Sequence, residues 1–326
     1  SKRILIWSQM HGNESTTTKA IFDLFNYFDA SDYKELLEAC TLFIIPILNP
    51  DGAEAYTRLN KNQIDLNRDA KALSQSESKI LRTTFESFRP HFCFNMHGQR
   101  TLFSAGNTPN SAVLSFLSPS ENEQRSLTVT RQKSMEIIQV MNTALQPHIT
   151  GQVGRYDDGF NDNCVGDYFQ SYGTPTVLFE AGHFPKDYNR EVTRKFMALA
   201  LITAIDYVAN NNITGVNYKP YFDIPENDKR FYDVIVRNAL LDSSKPDIIN
   251  DIAFQYTEVL ESSEIVFKPK LVCLGDLSQN FGHLEIDAKF KTVWHPDFEM
   301  LSIGNEIVFI MIENTKNSLL INNKLI

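Results

Sequence analysis

A chain of 326 residues, 42% hydrophobic and 22% charged, has ordinary globular composition and enough material for a large buried core. Its net charge of −9 argues against a nucleic-acid partner. No run reaches the roughly 18 apolar residues that a membrane helix needs, so no membrane span is expected.

The opening "SKRILIW" is basic and then apolar, but it passes straight into polar "SQMHGNES" and does not read as a signal peptide. A cytoplasmic location is favoured for the chain as given, and its start at Ser1, without a methionine, leaves room for an upstream segment. "RILIW" (3–7) reads as a buried strand, and a helical pattern follows over 14–29. "TLFIIPIL" (41–48) is the second expected strand. In "SQSESKILRTTFESF" the residues Ile80, Leu81, Phe85 and Phe88 keep helical spacing, and Ser74 with Glu77 has the form of a capping box, predicting a helix over 74–88. "HFCFNM" (91–96) and "PTVLFEAG" (175–182) read as strands, with helices expected over 123–146 and 188–211. Strands alternating with helices imply a three-layer α/β domain with helices on both faces of the sheet. After "NNNITG" (210–215) the helical periodicity fades. "FYDVIVRNAL", "EIVFKPKLVCLG", "GHLEIDAKFKTVW" and "NEIVFIMIEN" then cluster β-forming residues between turn residues. The expected organisation is an α/β domain over 1–215 and a small all-β domain over 216–326. Cys40, Cys93, Cys164 and Cys273 show no CxxC spacing, which argues against a cysteine zinc site.

In open α/β sheets, ligands bind at the carboxyl ends of the strands. His11, Asn49, His97 and Glu180 each stand at, or just after, such an end. His11 and Glu14 lie three apart where a strand hands over to a helix, so both side chains can face one point, and Gly12 permits close backbone approach. A catalytic zinc takes three protein ligands, commonly two His and one carboxylate, and keeps a fourth position for water. His97 supplies the third from a second strand end, with His183 as the alternative; His91 precedes its strand and falls on the opposite edge. Such a centre still needs a base and an electrostatic clamp. Glu180 closes an apolar strand, where a buried charge is costly without a role, and is the expected base. In "NPDGAEAYTRLNKNQIDLNRD" (49–69) a turn is followed by Arg58, Asp65, Asn67 and Arg68. Arginine suits a bidentate grip on a carboxylate and the stabilising of an oxyanion, so this loop fits a substrate with a free carboxylate.

Taken in order, "HGNE", "NPDG…TRLNKNQIDLNR", "NMHG" and "TVLFEAG" resemble the zinc carboxypeptidase family of the carboxypeptidase A type, over roughly residues 3–205. The resemblance implies a mixed sheet flanked by helices, one Zn2+ per chain on His11, Glu14 and His97, and Glu180 as general base. Arg58 would polarise the scissile carbonyl, Asn67 and Arg68 would bind the terminal carboxylate, and Asp65 would orient His11 through its other ring nitrogen. The family's substrate-capping tyrosine lies upstream of the base, where Tyr156 is the nearest candidate, at imperfect spacing. Val165 and Gly166, small and uncharged, would line the specificity pocket and argue against basic C-terminal residues. The family usually carries a further strand pair ahead of "RILIW", which suggests that the natural protein is longer. The implied reaction is release of a C-terminal amino acid from a peptide by metal-activated water with a glutamate base. The alternative is a zinc-dependent deacylase of N-acyl amino acids, since the succinylglutamate desuccinylase and aspartoacylase group resembles the same catalytic domain and also carries a C-terminal β domain. No serine or cysteine nucleophile motif is present.

Overall fold

A computed structural model describes residues 1–29 and 34–321. The chain divides into two compact units between Asp228 and Lys229. In the first unit the strands are β1 (Lys2–Ser8), β2 (Cys40–Ile45), β3 (Phe92–Gly98), β4 (Phe103–Ala105), β5 (Leu114–Leu117), β6 (Val153–Arg155) and β7 (Thr176–Ala181). The helices are α1 (Ser15–Asp29), α2 (Lys34–Ala39), α3 (Pro50–Ala55), α4 (Ser76–Phe88), α5 (Val129–Leu145), α6 (Val165–Ser171) and α7 (Glu191–Asn210). Six strands form one sheet in the order β2-β1-β3-β7-β5-β6. β2, β1, β3 and β7 run parallel, β5 is antiparallel to β7, and β6 is parallel to β5. The sheet is therefore mixed, and its four parallel strands all end at one edge.

Side-chain alternation divides the core in two. On one face Ile4, Ile6, Phe94, Met96, Val177 and Phe179 pack with residues of α1, α5 and α7. On the other, Leu5, Trp7 and Cys93 pack with Leu81 and Phe85 of α4 and with Val165 and Phe169 of α6. Strands covered on both faces carry near-continuous apolar runs, which is why "RILIW" has no polar alternation. The expected three-layer architecture is present.

Helix starts differ from the sequence expectation, and each difference has a local cause. The capping box of Ser74 and Glu77 does not form, because α4 begins at Ser76. The Asp69 carboxylate instead holds the segment leading into the helix, accepting from the Ser74 and Gln75 backbone N–H groups, each at 3.0 Å. α5 starts at Val129, with Thr128 as cap accepting from the Arg131 N–H, and α7 starts at Glu191, where the Asp187 carboxylate accepts from Glu191, Val192 and Thr193. Ile80 points to solvent, while Leu81 and Phe85 are buried.

The division of the chain falls after the 215/216 boundary read from the sequence. Tyr221 and Ile224 belong to the core of the first unit, and the Tyr221 hydroxyl accepts from the Ser118 N–H at 3.3 Å. In the second unit, strands Glu264–Gly275, Ile249–Glu261, Phe231–Leu240 and Phe281–Asp287 form one sheet in that order, antiparallel except for the last pair. Val293–Trp294, Phe309–Ile312 and Thr315–Ser318 form a second, antiparallel one. All four cysteines are free. Among the described residues, no helix is long and apolar enough to cross a membrane.

Phe169 stacks on Phe85 with ring centroids 3.9 Å apart and meets the Trp7 ring edge-on at 5.5 Å. It joins α4 and α6 to the sheet directly beneath the carboxyl edge. Phe169→Ala is expected to destabilise the protein by about 3–5 kcal/mol, read as a lower urea midpoint at unchanged slope.

Candidate active site

After β1 the chain turns sharply at Gln9, whose φ is 50°. The Gln9 side chain holds this turn, donating to the Gly12 carbonyl at 2.6 Å and accepting from the Thr18 hydroxyl at 2.8 Å. The Glu14 N–H then bonds the His11 carbonyl at 3.0 Å, which brings the two side chains to one side. Gly12 is pressed against the "NPDG" turn so closely that a Cβ there would lie 1.9 Å from the Gly52 carbonyl carbon. That turn is itself pinned by Asn49, whose side chain accepts from the Gly52 N–H at 2.9 Å and donates to the Met10 carbonyl at 3.2 Å. Two separate motifs thus form one backbone platform.

On that platform His11, Glu14 and His97 offer ligand atoms that all lie within 4.8 Å of one another. His11 Nδ1 is 2.8 Å from Glu14 Oε1, His97 Nδ1 is 3.0 Å from Glu14 Oε2, and the two Nδ1 atoms are 3.1 Å apart. Among the described residues this is the one group of three or more such side chains, and His183 is not part of it. The Gly98 N–H donates to Glu14 Oε2 at 2.9 Å and fixes the carboxylate. Asp65 Oδ1 is 3.0 Å from His11 Nε2. Each His11 ring nitrogen thus faces a carboxylate oxygen, and a proton on Nε2, given to Asp65, would leave the Nδ1 lone pair for a metal. Two imidazole nitrogens and a carboxylate converging this closely could hold a cation. A His2Glu set with room for a fourth ligand fits zinc.

The electrostatics agree. Burial would raise the Glu14 pKa, but the two imidazoles, His11 foremost, hold it well below the usual carboxylate range. Burial would lower that of His11, but Glu14 and Asp65 outweigh it and the value is raised. For His97 burial wins and the pKa is lowered.

Register delivers the next group. His97 on β3 pairs with Glu180 on β7, Glu180 pairs with Ser115 on β5, and Ser115 pairs with Gly154 on β6. These four positions form one row on one face of the sheet. Glu180 Oε2 is buried with no hydrogen-bond partner, and burial, then the Glu14 charge, pushes its pKa well up, against the opposing pull of Arg58. Arg58 donates twice to Asp65 Oδ2, at 3.0 and 3.1 Å, and its Nη1 stands 3.6 Å from Glu14. Asp65 also caps a short 3-10 helix, Leu66–Arg68, through the Asn67 N–H at 2.9 Å. Asn67 Oδ1 accepts from the Val165 N–H at 3.0 Å at the start of α6, and exposed Arg68 reaches Cys164 Sγ, also at 3.0 Å.

Tyr156 lies partly buried after β6, its ring edge-on to Phe103 at 5.3 Å. Burial, then the charges of Glu180 and Glu14, raises its phenol pKa strongly. Val165 is buried against Leu66 and Met10 rather than facing open space. A Cβ on Gly166 would meet Pro119 at 3.1 Å and Asn95 at 3.9 Å. The sequence reading missed Ser115, Gln99 and Asn227, which surround the far end of the row. Ser115 lies on a strand only four residues long, and Asn227 lies beyond the domain boundary read from the sequence, so no local signal marks either.

A three-layer α/β fold that brings a His–Glu–His set to the carboxyl edge of its parallel strands defines a metal-binding protein of the zinc hydrolase type. Residues 1–168, just over half of the chain, match the family model described as zinc carboxypeptidase, and the chain belongs to that family. A curated relative, "Probable carboxypeptidase 2" of Trichophyton verrucosum (strain HKI 0517), is 30% identical over 112 residues, 33% of this chain and 21% of its own length. "Carboxypeptidase 2" of Trichophyton rubrum is 29% identical over 101 residues, 30% of this chain and 19% of its own. The chain thus spans about a fifth of the length of these relatives. The solved carboxypeptidase A from Helicoverpa armigera shares the fold, with a TM-score of 0.51 at 16% identity over 64% of this chain and 61% of that one.

Asp65 touches no converging ligand atom other than through His11. Asp65→Asn is expected to lower zinc affinity roughly 10–100-fold, measured by chelator competition, with the fold retained.

Proposed function

We propose that this protein is a zinc-dependent carboxypeptidase that holds one Zn2+ per chain at His11, Glu14 and His97 and releases the C-terminal amino acid of a peptide. The observation that carries this reading is the row in which Glu180 stands beside His97, next to three converging ligand atoms. Bound zinc supplies Lewis acidity at the point of convergence. Glu180 takes the proton of the attacking water and delivers it to the leaving amine. Burial and the neighbouring Glu14 charge raise its proton affinity, which suits a group that must first accept and then donate.

Arg58, close to Glu14 yet half exposed, faces the carbonyl oxygen and stabilises the charge that develops on it. Arg68 and the amide NH2 of Asn67 hold the substrate's terminal carboxylate, and Tyr156 adds a hydroxyl from the opposite side. With Asn67 Oδ1 committed to the Val165 N–H, its donor end remains for an anion. The relatives' names support a peptide substrate over an N-acyl amino acid, although both end in the carboxylate that this clamp would grip.

The test is zinc content together with turnover of blocked dipeptides of varied C-terminal residue and of N-succinyl and N-acetyl amino acids. One zinc per chain is expected, with dipeptide cleavage that falls roughly 10²–10⁴-fold in Glu180→Gln. Removing zinc with a chelator should abolish turnover, and re-addition should restore it. Turnover confined to the acyl-amino acids would assign the deacylase activity instead, and absence of bound zinc would overturn the site.

A further inference from the structure

Residues 157–164, between β6 and α6, are fastened at two places of different kind. At the first, Asp158 meets Arg131, which lies in the opening turn of α5 with 1% of its surface exposed. The Arg131 guanidinium has four acceptors. Its Nη1 donates to the Arg125 and Ser126 carbonyls at 2.8 and 3.3 Å, and its Nη2 to the Ser118 carbonyl at 3.2 Å and Asp158 Oδ2 at 2.6 Å. Three of the four are neutral carbonyls. The Asp158 carboxylate therefore brings the charge that offsets the desolvation of this buried cation. The Asp158 backbone is held as well, its carbonyl accepting from the Ser120 hydroxyl at 2.6 Å.

At the second place the segment joins the loop that carries Asn67 and Arg68. The Asn163 carbonyl accepts from the Ala70 N–H at 3.3 Å, and Arg68 Nη1 donates to Cys164 Sγ at 3.0 Å. One residue further on, the Val165 N–H donates to Asn67 Oδ1 at 3.0 Å. Asp162 also pairs with Lys71, at 2.5 Å, but both of those side chains are more than half exposed. An exposed pair of this kind adds little, whereas a charge-assisted bond to a buried guanidinium is strong. The firm fastening is at Arg131, and what it holds leads straight to Asn67 and Arg68.

We infer that Asp158 is a positioning residue: bonded to Arg131, it fixes residues 157–164 as a strap, and the strap fixes Asn67 and Arg68. The inference rests on the carboxypeptidase reading for what those two side chains grip, and on hydrogen-bond geometry for how they are held. A grip on the substrate's terminal carboxylate is the same before and during the reaction, so loosening it should raise KM and spare kcat.

The experiment uses the zinc-loaded full chain with Asp158→Asn, Lys71→Ala, and the double variant Arg131→Met with Asp158→Ala. Asp158→Asn should raise KM for blocked dipeptides roughly tenfold, the worth of one charge-assisted hydrogen bond, at unchanged kcat. The released amino acid, used as a competitive inhibitor, should weaken by the same factor, because it carries the same carboxylate. Lys71→Ala should move KM by less than about twofold. The double variant leaves no buried charge stranded, so it answers the case in which Asp158→Asn does not fold, and it should show the same rise in KM. Amide hydrogen exchange supplies a readout without substrate. In Asp158→Asn and in the double variant, residues 157–164 and the Ala70 amide should exchange faster together, with β1 and β3 unchanged. An unmoved Ala70 amide, or a faster strap with KM unmoved, would overturn the positioning role. A wild type that cleaves no peptide would count against the carboxypeptidase reading instead, while exchange at Ala70 would still decide whether Asp158 holds the loop of Asn67 and Arg68.

Discussion

Parallel pairing of β2, β1, β3 and β7 is the constraint from which the site follows. Parallel strands must be joined by crossovers, so their carboxyl ends gather on one edge and the connections that leave them gather there too. His11 and Glu14 leave β1, the Asn49 turn leaves β2, His97 closes β3 and Glu180 closes β7. None of these groups is near another in sequence, apart from the first two. Register then sets the spacing: His97 and Glu180 are direct partners, on strands about 4.8 Å apart.

The charge at this edge suits a cation. Glu14, Asp65 and Glu180 lie around two histidines, and Arg58 pairs with Asp65 close to Glu14. Asp65 divides its two oxygens between the His11 ring and the Arg58 guanidinium, so one carboxylate orients both side chains together. The concentration of buried negative charge is stable only when paired, and a divalent ion at the convergence of three donors is the most economical partner.

Much of this was legible in the sequence because each group directly follows a buried apolar strand. His11, His97 and Glu180 could be placed by that rule, and the long helices by their periodicity. What stayed hidden depended on contacts made across long sequence distances. Strands β5 and β6, of four and three residues, are too short to show alternation, so Ser115 and Gly154 carried no signal. Asp187 caps a helix whose start it does not adjoin, Asp69 holds the lead-in to another, and local pattern gave α4 and α7 earlier beginnings.

The contact of Gly12 with Gly52 has a consequence for how this protein tolerates change. Because backbone meets backbone there, neither residue has an atom to spare, and the loop bearing His11 and Glu14 shares one wall with the loop that leads to Arg58 and Arg68. The two loops are mechanically a single part. An insertion or a bulkier residue in either displaces both, so natural or engineered variation in substrate preference must enter from the remaining sides of the site. A survey scoring residues by lost turnover would rank these glycines with the catalytic groups, although they hold no proton, charge or lone pair that the reaction uses.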